Sequence, residues 1–175
     1  MAWVVLLRAS NVGVHQRFLP SAFVKSKALT TFKLVNLGAA GTFVARSNTS
    51  ESRLRKAIVA QLPFETDVSI CSGDEILTLL DEDPFGVVPP NSKPFLTVLA
   101  ADPVRTPHLP FHVPNEPEWE VRLISARGRY VLSLYRRLKD RLLYPNPIVE
   151  REFGVAGTTR GWSTVVALGK ILANS

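Results

Sequence analysis

The chain has 175 residues, 46% of them hydrophobic, and carries a net charge of +6. That is enough apolar material for a packed core, which excludes a disordered chain and sets the expectation of one domain or two small subdomains. A single cysteine, Cys71, excludes an internal disulfide, and no apolar run reaches the length that spans a bilayer. The apolar start Trp3–Leu7 is too short for a secretory core and has no basic residues before it, so a soluble, cytoplasmic protein without membrane partners is expected. The charge is segregated. Residues 1–60 hold nine Lys/Arg against one acid, residues 61–121 two against eleven, and residues 122–175 ten against three. Such blocks either attract polyanions or neutralise one another across a fold.

In chain order, "AWVVLLR" has the length and β-branching of a buried strand near Trp3–Arg8. Pro20 suits the first turn of a helix, and Phe23, Val24, Ala28 and Leu29 give that helix an apolar stripe. Gly38 and Gly41 sit where "FKLVNLGAAGTFVAR" must reverse, which predicts a hairpin. Leu54, Ala57, Ile58 and Leu62 share one helical face, entered through Asn48 with Glu51 or through Ser50. "DVSICS" reads as a strand, and Ser72 with Glu75 as the capping box of the helix that follows. Strand, helix, strand, strand, helix, strand is the order of a ferredoxin-like fold.

Nine of the thirteen prolines lie between Pro84 and Pro117, leaving room there for one buried strand at Phe95–Ala101. Asp81–Lys93 is the expected hinge between subdomains 1–90 and 91–175. A hairpin follows around Arg127–Gly128, then a short helix over Asn146–Phe153 and a last one over Gly161–Ala173. Trp162, Val165, Val166, Gly169 and Leu172 are the expected packing face of that last helix. Exposure of Phe111 or Trp119, beside the loop Asp102–Pro117, would favour a protein–protein role.

Chemistry is sparse. Cys71 lies in an apolar strand and reads as a small hydrophobe. His108 and His112 flank Pro110, so their spacing does not make a helical metal pair, and neither a metal nor a cofactor is expected. No nucleophile elbow or phosphate-cradling glycine loop is present, so the balance leans away from an enzyme. "RGRYVLSLY", Arg127–Tyr135, partly resembles the basic-aromatic strand of RNA-recognition sheets, though the alternate series from Tyr130 is Leu132 and Leu134. Nucleic acid is therefore an alternative partner. Thr158, Thr159 and Arg160, read as the run-in to the last helix, and Arg8, at the end of the first strand, suggest a small anion such as phosphate or carboxylate.

Two stretches go further. "LLRASNVG", Leu6–Gly13, resembles an L-L-R-G-I-N-V-G signature, and "TTRGWSTVVAL", Thr158–Leu168, resembles T-T-R-N-W-N-T-V-x-K-L. Both belong to a bacterial family known as domain of unknown function sixteen ninety-seven. "SICSGDEILTLLDEDPF" between them is similar to that family's strand and capped helix, ending in Asp83-Pro84-Phe85. The resemblance implies two antiparallel α/β-plait subdomains and no known reaction, ligand or cofactor. It marks Arg8, Asn11, Gly13, Thr158, Thr159, Arg160, Trp162 and Thr164 as motif positions. The chain departs from the pattern at Ala9-Ser10, at Thr42 in the first hairpin, and at Gly161 and Ser163, each time with a smaller or different group.

Overall fold

A computed structural model describes residues 1–8, 18–138 and 143–174. It is a mixed α/β chain with two antiparallel sheets, one of four strands and one of five. Two compact units are present: Met1–Glu82 with Val166–Ser175, and Asp83–Val165. The first crossing falls inside the expected hinge. The second was not anticipated: it lies within the last helix and returns the end of the chain to the first unit, so the expected 1–90 and 91–175 division differs there.

In the first unit, β1 (Trp3–Leu7) lies between β3 (Thr42–Ala45) and β4 (Val68–Ser72), with β2 (Leu34–Asn36) outside β3. Register aligns Val5 with Phe43 and Ile70, so Val5, Leu7, Phe43, Ala45, Val68 and Ile70 share one face. That face packs on Phe23, Leu29, Phe32, Leu54 and Ile58 as one buried cluster. The hairpin of β2 and β3 forms as expected: Gly38 and Gly41 take φ of +72° and +68°, where a side chain would be strained, and Leu37 N–H donates to Thr42 O at 2.8 Å.

The expected helix from Pro20 is broken in two, a short α1 (Pro20–Phe23) and a 3-10 helix (Lys27–Phe32). The reason is local. Leu29 and Phe32, the residues this segment buries, are three apart, and a three-residue turn puts them on the same side. Helix α2 (Glu51–Gln61) is capped by Ser50, whose Oγ accepts from Arg53 N–H at 3.3 Å, which decides between the two expected caps. Helix α3 (Gly73–Asp81) starts on the expected capping box: Ser72 Oγ accepts from Asp74 N–H at 3.2 Å, and Glu75 carboxylate accepts from Ser72 N–H at 3.4 Å. Replacing Ser72 by Ala removes a cap of a kind that contributes about 1 kcal/mol. Urea denaturation should show that loss for Ser72→Ala, whereas the exposed Ser52→Ala on α2 should change little.

In the second unit the strand order is β6 (Phe111–Val113), β7 (Val121–Arg127), β8 (Tyr130–Arg136), β5 (Ser92–Leu99), β9 (Gly157–Gly161). Both β8 and β9 run antiparallel to β5, hence parallel to each other, and α4 (Pro145–Phe153) is their crossover. Gly154 ends α4 at φ +71°, the left-handed conformation expected of a glycine there. Leu99, Val121, Leu123, Val131, Ile148, Val149 and Phe153 form this unit's buried cluster.

The connection from β5 to β7 carries β6 and no helix, in keeping with its prolines. Trp119 is not the exposed loop residue considered above: it is 3% exposed, with the Arg122 and Arg136 guanidinium groups 4.2 and 4.1 Å from its ring centre. Phe111 is half-buried in β6. Helix α5 (Trp162–Ala173) begins one residue later than expected and buries Val165, Leu168 and Leu172, while Val166, expected in its packing face, is 39% exposed. Among the described residues no helix is long and apolar enough to cross a membrane.

Candidate functional site

The Thr-Thr-Arg motif does not run into the helix as a loop. Gly157–Gly161 is strand β9, hydrogen-bonded along β5, and α5 begins only at Trp162. The reading of Thr158, Thr159 and Arg160 as the run-in to the last helix is therefore corrected. Both threonines are β-branched, a class that fits a pleated strand better than a helix start.

Strand geometry then divides the motif between two faces. Thr159 stands opposite Thr97 and points to the side of α4. Its hydroxyl donates to Asn146 Oδ1 at 2.7 Å and lies 2.6 Å from the Thr97 hydroxyl, so the chain of bonds runs Thr97, Thr159, Asn146. Thr97 is fully buried, and a hydroxyl inside an otherwise apolar strand costs stability unless bonded. The same helix supplies Glu150, whose carboxylate accepts from Gly157 N–H at 2.9 Å. A Cβ on Gly157 would come within 2.8 Å of the Thr97 methyl, so glycine is what lets β9 lie this close to β5.

On the other face of β9, Thr158 (2% exposed) and Arg160 stand opposite Val98 and Leu96. Both neighbours are buried and apolar. Desolvation pushes the Arg160 guanidinium down to about 10, still far above neutrality, so it stays charged under ordinary conditions. Its Nη1 donates to Thr159 O at 3.0 Å.

Of the remaining predicted positions, Trp162 is half-buried at the start of α5, and its ring meets Phe85 edge to face at 5.0 Å. Thr164 is half-buried in the first turn of α5. Arg8 belongs to the first unit, where its guanidinium pairs with Asp67 at 3.3 Å, its N–H donates to Asp67 O at 3.0 Å, and its carbonyl accepts from the Thr66 hydroxyl. Asn11 and Gly13, with Ala9 and Ser10, lie outside the described residues.

Sequence reasoning missed Thr97, Asn146 and Glu150. A threonine inside the apolar run "FLTVLAA" was the available signal, since it must find a partner once buried. Tyr130, the aromatic of the RNA-recognition comparison, is 7% exposed. Tyr135 is half-buried between Phe95 and Tyr144, with ring centres 6.4 and 6.2 Å away. Among the described residues no group of three or more His, Cys, Asp or Glu could hold a metal ion.

These features define an α/β chain of two antiparallel sheets, with a half-buried guanidinium on an outer strand of the second. No family profile matches the chain, and no curated protein sequence does. It is similar in fold to a solved structure of a conserved bacterial protein from Streptococcus pneumoniae, at a TM-score of 0.61 over 98% of both chains, with 16% sequence identity.

Proposed function

We propose that the chain is a cytoplasmic, non-catalytic binding protein of the family resembled above, whose site takes a phosphate or carboxylate at Arg160. The observation that carries this reading is a charged guanidinium set among buried apolar neighbours on β9, with Thr158 on the same face. A cation shielded from water gains more from an anion than an exposed one, and a guanidinium meets two oxygens at once. The reading is carried by Arg160 and Thr158 on one face of β9, without Arg8, whose guanidinium meets Asp67 at 3.3 Å.

The proposed scaffold is a ferredoxin-like plait in each unit. Supporting it, the first sheet has the order β4-β1-β3-β2, and the second repeats that order as β9-β5-β8-β7 with β6 added and the first crossover helix absent. In thermal-shift assays, inorganic phosphate, pyrophosphate or a dicarboxylate should raise the melting temperature relative to chloride at equal ionic strength. Arg160→Gln should weaken that response about ten-fold or more, and Arg160→Lys should retain part of it. Equal responses in wild type and Arg160→Gln would reject the site.

A further inference from the structure

The first unit carries a second feature, independent of Arg160. Between the 3-10 helix and α2 lies an open groove of about 390 Å³, floored by Ala28, Phe32, Ala57 and Ala60 and edged by Arg53 and Lys56. From Arg53 to Ala60 it follows about two turns of α2, roughly 10 Å. The surrounding charge has one sign. Lys27 and Lys33 flank the lining segment of the 3-10 helix, and the side chains of Lys27, Lys33, Arg53 and Lys56 have no ion pair or hydrogen bond among the described residues. Glu51 is the one acid in residues 1–60, and its carboxylate is taken by Arg55 at 2.7 Å.

We propose that this groove docks an acidic amphipathic helix of a partner protein, with apolar side chains on the alanine floor and carboxylates against Arg53 and Lys56. An apolar floor two turns long with a cationic edge complements such a helix in shape and in charge. Nucleic acid fits less well: its bases need a ring to stack on, and the lining aromatic, Phe32, is 3% exposed.

The test uses the full chain and a fluorescein-labelled peptide with leucine at positions i, i+3, i+4 and i+7 and glutamate or alanine elsewhere, followed by fluorescence anisotropy. A scrambled peptide of the same composition is the comparison. Saturable binding of the patterned peptide alone is expected. Arg53→Glu with Lys56→Glu should weaken it about ten-fold or more and create binding to the lysine analogue of the peptide. That gain also shows the double variant to be folded. Ala60→Trp should block both peptides by filling the floor. Equal binding of patterned and scrambled peptides, or an unchanged affinity in the double charge variant, overturns the proposal. So does displacement of the peptide by oligouridine RNA at lower concentration, which gives the groove to nucleic acid. Self-association lost in Ala60→Trp gives it instead to a second copy of the chain and overturns the proposal equally.

Discussion

Phe43→Ala should cost about 3–5 kcal/mol in urea or guanidinium denaturation. Phe43 is fully buried on β3, opposite Val5 on β1, with its ring 5.5 Å from that of Phe23. It therefore joins the sheet to the helical layer of the first unit's core. Truncation removes the apolar surface of a ring and leaves a cavity that two neighbouring strands cannot close without breaking their register. For a chain of this size the loss corresponds to a fall in Tm of about 6–20 °C. Val59→Ala, at a side chain 53% exposed on α2, is the control and should change stability by less than about 0.5 kcal/mol. A Phe43→Ala loss as small as the control's would mean that the residue is not in a core.

Thr159→Val has the second largest expected effect, about 2–4 kcal/mol. Valine keeps the shape and the β-branching, so β9 should persist, but the Thr97 hydroxyl and the Asn146 amide oxygen both lose their bond to Thr159. Leaving buried polar groups unsatisfied costs more than the bonds themselves contribute. The test is a double-mutant cycle. Thr97→Val together with Thr159→Val leaves one orphaned group instead of two, so the double variant should be no less stable than Thr159→Val alone. Additive losses would show that the two hydroxyls do not act together.

Where the sequence could be read correctly, the controlling physics was local. The hairpin at Gly38–Gly41, the capping box at Ser72 and the end of α4 at Gly154 each depend on residues within a few positions of one another. The misreadings came from contacts distant in sequence. Thr158 and Thr159 suit a helix cap as well as a strand, and what settles them is pairing with β5, some sixty residues earlier. Whether Trp119 is exposed was left open beside a proline-rich loop, and Arg122 and Arg136 cover it once β7 and β8 pair. The crossing inside α5 left no mark, since a continuous helix has none of the proline or glycine punctuation that betrays a boundary. For the candidate site, Arg160 was visible as a motif residue, whereas its place on β9 opposite the buried Leu96 was not.

The proposal that Arg160 receives an anion is tested most directly by arginine side-chain NMR. With [15N]arginine-labelled protein, the Arg160 Nε–H resonance is assigned by its loss in Arg160→Lys and followed during titration with inorganic phosphate at constant ionic strength. A saturable shift of that resonance, with exposed arginines such as Arg53 moving little, is the predicted result. An Arg160 resonance that stays in place while the exposed arginines drift together would contradict the assignment of the site.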